Sequence, residues 1–439
     1  MSQAMRLVRG EILHFRADPG AATTSESGAA WQHWEDGALW IENGRVVRCA
    51  SWSEVAAAAP AGAPCTDLRG MLILPGFVDT HIHYPQTDVI ASPGRGLLDW
   101  LERYTFPAER RYADPAVASE AAEFFCDELL RNGTTTALVF GTVHAQSVDA
   151  FFEVAARRGL RMLAGKAMMD RHCPGFLRDT AQSSYDDSRR LIERWDGQGR
   201  LGYAITPRFA VTSSPAQMAA AGALAREFPR VAVQSHVAEN AAEVAWVREL
   251  YPASRSYLDV YDGVGLLRAP AVYAHCIHLD DVDRQRIAHS GAAAAFCPTS
   301  NLFLGSGLFD LMQALDAGMR VGLGTDVGGG TSFSMLRTLA AAYQVTHLKG
   351  HVLEPLRAYY LATLAGAAAL GLDHAIGNFE PGKEADFIVL DPQCTPLLRR
   401  RMAQAQSLDE RLFLWLTLGD DRAVAAAYVM GKMQWSREQ

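Results

Sequence analysis

Eight short apolar runs recur between residues 71 and 330, and each is followed by a polar or Gly/Pro-containing loop and then by a longer segment with helical spacing. Their apolar character is continuous rather than alternating, which is typical of parallel strands covered on both faces. The runs are residues 74–83, 134–142, 161–169, 201–209, 230–239, 271–278, 292–300 and 320–327. Eight such units predict an α/β fold, namely a closed (β/α)8 TIM-type barrel.

The two ends of the chain have a different pattern from the middle. Residues 1–70 contain the strand-like piece ALWIENGRVVRCA, and the tail contains GKEADFIVLDP and AVAAAYVMGKMQW, again strands with Gly turns. Neither end alone could bury a core. We therefore expect 1–70 and 376–439 to form one small, discontinuous β-sandwich-like domain beside a barrel of residues 71–375. The Ala/Ser/Gly/Thr-rich segment 17–30 is expected to be a loose loop.

Composition excludes several classes of partner. The chain has 439 residues and a formal net charge of −8, so it offers no basic footprint for a nucleic-acid backbone. No stretch approaches the roughly 18 apolar residues that span a bilayer, and the N-terminus lacks a signal-peptide apolar region. The seven cysteines are scattered, with no C-x-x-C pair, which is typical of a reducing compartment. We expect a cytoplasmic protein with neither a nucleic-acid nor a membrane partner.

Polar residues at the ends of three runs suggest a metal site. His81 and His83 end the first run, and residues two apart on a strand share a face. An H-x-H pair alone is a weak signal, because two solvated histidines at a strand end have the same pattern. His236 ends the fifth run and Asp326 the eighth, and barrel closure brings these ends together. Three histidines and one aspartate suit a single zinc ion, with iron as an alternative.

Two further residues of the same runs are candidates for catalysis. Glu239 follows His236 by three residues, and His275 lies in the sixth run. A bound metal ion would lower the pKa of its water towards about 7 and so provide a nucleophile. A second metal bridged by a modified Lys166 is the less favoured alternative, because no additional histidine pair or carboxylate is evident to hold it.

The other histidines of the barrel are expected to be structural or solvated. His278 lies within reach of the same end of the barrel, but the two-residue period of a strand places it on the opposite face from His275. We make the same prediction for His144, His172 and His289.

The arrangement of these residues resembles the amidohydrolase superfamily, specifically its mononuclear nucleobase deaminases, and within them the guanine deaminases. The resemblance runs essentially end to end. H-x-H and G-T-D mark only the superfamily, whereas YTFPAERR and HYPQ narrow it to the guanine deaminases. The strings that carry it are LPGFVDTHIHYPQT (74–87), LLDWLERYTFPAERRY (97–112), RNGTTTALVFGTVH (131–144), TPRFAVTSS (206–214), FCPTSNLFLGSGLF (296–309) and LGTDVGGGTSFSML (323–336).

The resemblance implies hydrolysis of guanine to xanthine and ammonia by a metal-activated water. Glu239 would be the proton shuttle, because a carboxyl group in a dry pocket has a raised pKa. Asp326 would bind the metal and accept a proton from the water, and His275 would hydrogen-bond the same water; these two roles are not separable from sequence. Relatives also suggest a homodimer.

Four residues are candidates for recognising the base that the resemblance implies. Arg208 ends the fourth run, and its fork matches the O6 and N7 acceptors of guanine. Gln86 offers an amide that both donates and accepts. Phe209 could stack on the ring and Trp100 could close over it, although core packing explains these two aromatic residues equally well.

Two other interpretations compete with this one. A related amidohydrolase could act on cytosine, an adenosine-type compound or a chlorinated triazine, but Arg208 and Gln86 argue against these substrates. A non-catalytic scaffold of the same fold would have lost metal ligands, and here every ligand position and Glu239 are intact.

Overall fold

The computed structural model describes residues 5–20 and 30–438. Most of the segment predicted as a loose loop, residues 21–29, lies outside the described residues. The N-terminal strands are β1 (Arg6–Phe15), β2 (Trp31–Glu42), β3 (Arg45–Ser51) and β4 (Cys65–Pro75). The middle strands are β5 (Phe77–His83), β6 (Thr134–Phe140), β7 (Arg161–Gly165), β8 (Ala167–Met168), β9 (Gly202–Pro207), β10 (Ala232–Val237), β11 (Ala271–His275), β12 (Ala293–Phe296) and β13 (Arg320–Leu323). The C-terminal strands are β14 (Phe387–Leu390), β15 (Val424–Val429) and β16 (Lys432–Ser436).

The middle strands form the predicted parallel barrel. They are ordered β13-β12-β11-β10-β9-β7-β6-β5, and the short β8 continues β7 and also pairs with β9. Each of the eight predicted runs contains its strand. The barrel closes beyond the end of β13, where the Asp326 N–H donates to the His81 carbonyl at 2.9 Å and the His83 N–H donates to the Val327 carbonyl at 3.0 Å. The TIM-type fold predicted from the apolar runs is confirmed.

Helices connect the strands and have clear start and stop signals. Asp114 caps the helix that begins at Pro115, and Gly159, at a φ of +66°, ends the next one. The α-helices are α1 (Trp52–Ala58), α2 (Leu97–Trp100), α3 (Phe106–Arg110), α4 (Pro115–Arg131), α5 (Ala145–Arg158), α6 (Ala181–Trp195), α7 (Pro215–Glu227), α8 (Ala241–Leu250), α9 (Asp259–Asp262), α10 (Asp281–Ser290), α11 (Pro298–Phe303), α12 (Leu311–Asp316), α13 (Met335–Leu348), α14 (Pro355–Tyr360), α15 (Gly366–Ala369), α16 (Pro396–Met402) and α17 (Leu408–Leu418). Leu101–Thr105 and Leu361–Ala365 are π-helical turns. None of the described helices is long and apolar enough to cross a membrane.

Strands from both ends of the chain meet in a second sheet. Its order is β16-β15-β14-β4-β1-β2-β3, so β14 of the tail pairs with β4 of the N-terminal segment. All seven strands are hydrogen-bonded into this one sheet. Its core lies on the face that carries Val8, Ile73 and Phe387.

The predicted domain limits differ from the structure in two places. Strand β4 continues to Pro75, so residues 71–75 belong to the second sheet rather than to the barrel. The tail also contains α17, which packs on barrel helices α13 and α14. There the Tyr359 hydroxyl donates to the Leu412 carbonyl at 3.3 Å. Helix α17 needs this cover because Leu412 and Trp415 give it an apolar stripe.

Candidate active site

The four side chains predicted to bind a metal converge at the carboxyl-terminal end of the barrel. The Nε2 atom of His83 lies 3.2 Å from Nε2 of His81 and 3.1 Å from Nε2 of His236. Oδ1 of Asp326 lies 3.2 Å from the His81 Nε2 atom and 3.4 Å from that of His83. All four ligand atoms lie within 4.8 Å of one another. Strand β5 supplies the first two histidines, and β10 and the segment after β13 supply the other residues.

This cluster fits a divalent metal ion. Ligand atoms about 2.1 Å from a shared tetrahedral ion lie about 3.4 Å apart, close to the distances found here. The His236 Nδ1–H donates to the Arg208 carbonyl at 2.6 Å, which leaves the lone pair on Nε2 directed at the other ligands. Burial lowers the pKa of His83 to about 3 and that of His236 well below its ordinary value. Both rings are therefore neutral, as metal ligands must be.

Asp79 connects strand β5 with the segment after β13, and both carry predicted metal ligands. Sequence analysis did not identify Asp79. Its fully buried carboxylate accepts the N–H groups of His81 and Thr325, each at 3.1 Å, and the Thr325 hydroxyl. The first N–H lies on β5 and the second follows β13. Asp79 therefore fixes the relative position of His81 and Asp326. Its place two residues before His81 was visible in the sequence, but its distant partner was not.

Glu239 and His275 lie beside the cluster. Burial, followed by repulsion from Asp326, raises the pKa of Glu239 to about 8. The Ser306 hydroxyl donates to Glu239 Oε1 at 2.8 Å, and Oε2 lies 3.4 Å from His275 Nε2. The His275 Nδ1–H donates to Asn301 Oδ1 at 2.9 Å. Among the described residues the buried His275 Nε2 has no hydrogen-bond partner, which suits a group that faces a ligand.

A cavity opens onto these residues, and its empty space, which includes open solvent, is about 390 Å³. Its lining includes all four residues predicted to recognise the base, Gln86, Trp100, Arg208 and Phe209. It also includes three of the four predicted ligands and both Glu239 and His275, while His81 lies behind them. Leu97, Leu101 and Leu304 supply apolar walls.

Arg208 is buried and paired rather than exposed, and its partner was missed by sequence analysis. The Arg208 Nη1 atom donates to Glu109 Oε1 at 2.8 Å and to Oε2 at 2.7 Å. The Gln86 Nε2 atom donates to the same Oε1 at 3.1 Å. Glu109 lies in the YTFPAERR string (104–111), which in the sequence indicates only the resemblance to guanine deaminases.

The remaining candidates lie outside the cluster. The ammonium group of Lys166 is buried and paired with Asp179, so its position does not support a lysine-bridged second metal. His278 is exposed and lies in the turn after β11. The strand-period argument for its orientation was therefore wrong, because the strand ends at His275. His172 is exposed, His289 is exposed and His144 is half-buried.

A parallel barrel that gathers three histidines, an aspartate and a buried acid at its carboxyl-terminal end defines a metal-dependent barrel hydrolase. A sequence model described as "Amidohydrolase family" matches residues 72–433, and the chain belongs to that family. The family resemblance noted in the sequence is thereby confirmed.

The chain is similar to guanine deaminases in sequence and in structure. The chain is 53% identical over 412 residues to guanine deaminase of Escherichia coli strain K12, covering 94% of each protein. A solved structure of E. coli guanine deaminase matches 98% of this chain and all of its own with a TM-score of 0.95 and 51% identity. Guanine deaminase from C. acetobutylicum, solved with guanine bound in its active site, matches 98% of this chain and all of its own, with a TM-score of 0.87 and 29% identity.

Proposed function

We propose that the protein catalyses the hydrolytic deamination of guanine, with xanthine and ammonia as products. The observation that carries this proposal is one cavity that combines a four-residue metal-ligand cluster, a buried acid and the Arg208 fork. Similarity to guanine deaminases over nearly the whole chain supports it.

His81, His83, His236 and Asp326 are the residues that would hold the metal, and we propose one zinc ion per chain, with ferrous iron as the alternative. When bound, the ion supplies a water molecule of lowered pKa as the nucleophile. The neutral imidazoles and the carboxylate provide the donor set for either metal.

The side chains around the cavity would hold guanine with its C2 atom towards the metal ligands. Arg208 donates to O6 and N7, the two acceptors of one edge of the base. Gln86 contacts the base through its amide, Phe209 stacks on the ring, and Trp100 covers it. Each lines the cavity. A base without the matching edge would leave buried polar groups unpaired, which is a strong basis for discrimination.

Glu239 would move the protons. Asp326 and Glu239 accept the two protons of the attacking water. Glu239 passes one to ring nitrogen N3 as the water oxygen bonds to C2, and passes the other to the departing amine as the C2–N bond breaks, so that guanine and water give xanthine and ammonia. A pKa of about 8 lets the carboxyl group give and take protons near neutrality. His275 Nε2, which points towards Glu239 and lies 3.8 Å from Asp326 Oδ2, orients the water. The protons of this coupled group are shared between its members.

We also propose that the protein is a cytoplasmic homodimer. Its seven cysteines, all described, are free thiols, as expected in a reducing compartment. The dimer follows from the family resemblance. Leu348 and Val352, four residues apart in the chain, are 69% and 56% exposed, and such apolar side chains suit a surface that an interface covers. Sedimentation of the purified protein measures its oligomeric state and so tests the proposed homodimer.

Turnover of purified protein tests the activity. We expect ammonia release and xanthine absorbance from guanine, with about one zinc or iron per chain by elemental analysis. Ammonia from cytosine or adenine, with none from guanine, would contradict the proposed substrate. Guanine turnover by protein that carries no bound metal would contradict the proposed chemistry.

A further inference from the structure

We propose that Glu109 is a specificity-determining positioning residue, which aligns Arg208 and Gln86 so that the cavity selects a neutral purine with an oxygen at C6. The inference deepens the proposed function and rests on it. Glu109 lies on α3 with 0% exposure and does not itself line the cavity. It therefore acts through the two side chains that it contacts.

The first contact directs the donors of Arg208. Both Glu109 oxygens accept from Nη1, at 2.8 and 2.7 Å. Within residues 5–20 and 30–438, Arg208 Nε and Nη2 have no hydrogen-bond partner, and the side chain lines the cavity. Because the guanidinium group is planar, fixing Nη1 also fixes the direction of the Nε–H and Nη2–H bonds. Glu109 thus reserves two neighbouring donors for a ligand with two neighbouring acceptors, such as O6 and N7.

The second contact sets the orientation of the Gln86 amide. The Gln86 Nε2 atom donates to Glu109 Oε1 at 3.1 Å, and Oε1 of Gln86 accepts the Gly328 N–H at 3.4 Å. Since a carboxylate accepts only, it keeps the NH2 group of the amide on its own side. Gly328 lies so close to Gln86 that a Cβ added to it would be 2.5 Å from the backbone carbonyl oxygen of Gln86. The amide is therefore held from both sides.

The pair also sets the charge of the cavity. The side chains of Arg208 and Glu109 are 3% and 1% exposed, so neither charge is compensated by solvent. A buried arginine without a partner would favour an anionic ligand. Paired with Glu109, Arg208 presents strong donors at no net charge, which suits a neutral purine with an acceptor at C6.

The experiment compares two Glu109 variants with a matched control. Glu109→Asp keeps the charge but shortens the side chain, and Glu109→Gln keeps the length but removes the charge. Glu102→Gln removes a carboxylate from an exposed position of the same helical segment. Each protein is assayed for kcat and KM with guanine and with 2-aminopurine, which carries the same amino group but lacks the C6 oxygen. Metal content and Tm are measured alongside.

We expect the wild type and Glu102→Gln to prefer guanine by at least about 10²-fold in kcat/KM. Both Glu109 variants should lose about 10- to 100-fold with guanine, mainly through KM, because hydrogen bonds of a charged group are misaligned. Turnover of 2-aminopurine should fall by a smaller factor than turnover of guanine, since it keeps N7 but offers no O6 acceptor to Arg208.

Two results would overturn the inference. An equal loss on both substrates in Glu109→Asp, with wild-type Tm and metal content, would show a merely structural role and overturn it. An unchanged preference for guanine would overturn it as well. If Glu109→Gln fails to fold, Glu109→Asp decides alone, because it retains both charges of the pair. A wild type that does not turn over guanine would instead contradict the proposed function.

Discussion

Several residues of the candidate site have positive φ angles, which are unfavourable for residues other than glycine. His275 has a φ of 70° and Asp326 a φ of 50°, both in the left-handed region. Ala238, beside Glu239, has a φ of 51°. Such conformations cost about 1–3 kcal/mol each and persist only where neighbours hold them. Here Glu243 helps, because its Oε2 accepts the N–H groups of Glu239 and Asn240 at 3.0 Å each.

The role of Glu239 is tested by replacing its carboxyl group with an amide. Glu239→Gln should leave metal content unchanged and lower xanthine formation by about 10²–10⁴-fold, because the amide keeps the shape of the group but cannot shuttle protons. Elemental analysis and guanine turnover measure the two effects. Glu249→Gln, at an exposed position of α8, the helix that follows Glu239, is the control and should behave like the wild type. Near-normal activity of Glu239→Gln would refute the proton shuttle.

Removing a predicted metal ligand should lower metal content and activity together, unlike Glu239→Gln, which should lower activity alone. His81→Ala should lower metal affinity by at least about 100-fold, since even partners of ligands contribute 10- to 100-fold. Activity should fall with metal content, and circular dichroism should remain that of a folded barrel. The control is His289→Ala, at an exposed position. Stoichiometric metal in purified His81→Ala would exclude this histidine from the ligand set.

At the scale of elements, a π-helical turn separates Trp100, which lines the cavity, from Glu109, which contacts the lining residues Arg208 and Gln86. Trp100 ends α2, Leu101–Thr105 is the π turn, and Glu109 lies in α3. In an ideal α-helix, residues nine apart point in opposite directions, at about 100° per residue. The extra residue of a π turn rotates Glu109 back towards the side of Trp100. Pro107, which lacks an N–H, accounts for the irregular turn before it.

This segment also shows what sequence could and could not predict. The barrel strands were predictable because burial on both faces produces continuous apolar runs, and strand ends carry the ligands. Arg208 was predicted at the cavity from its position at the end of the fourth apolar run, residues 201–209. Its partner Glu109 lies 99 residues away in the chain, and only the folded barrel brings them together. Helix α17 was missed for the same reason, because the surface that covers it comes from distant helices.

The second sheet should be sensitive to acid through one buried histidine. Burial lowers the pKa of His14 on β1 to about 4, and its Nδ1 accepts the Phe379 N–H at 3.5 Å. The neutral ring is stabilising above the unfolded-state pKa of about 6.5, and this contribution is lost as pH falls from there towards 4. Between pH 7.5 and 5 the wild type should lose about 2 kcal/mol more stability than His14→Leu, measured by urea unfolding. Equal losses would exclude His14 as the cause.

At the scale of the whole molecule, the second sheet is joined to the barrel by buried ion pairs at the amino-terminal end of the strands, opposite the cavity. Glu384, 4% exposed, accepts from Arg161 Nε at 2.6 Å and from Arg200 Nη2 at 2.7 Å. Arg161 begins β7 and Arg200 precedes β9, whereas Glu384 precedes β14 of the sheet. Asp386 also pairs with Arg200. Two carboxylates of the tail thus compensate two barrel cations.

Breaking this junction should destabilise the protein without altering the chemistry. Glu384→Gln leaves the largely buried Arg161 without a carboxylate partner, whereas Arg200 keeps Asp386. Breaking such a buried pair typically costs about 3–5 kcal/mol and should lower the urea midpoint and Tm. Glu380→Gln is the matched control, because Glu380 is 40% exposed, lies 3.5 Å from the exposed Arg16, and should cost less than about 1 kcal/mol. The kcat of the folded Glu384→Gln protein with guanine should equal that of the wild type, since the pairs lie at the other end of the barrel. A stability loss no greater than that of Glu380→Gln would show that the sheet is held to the barrel by apolar contacts rather than by these charges.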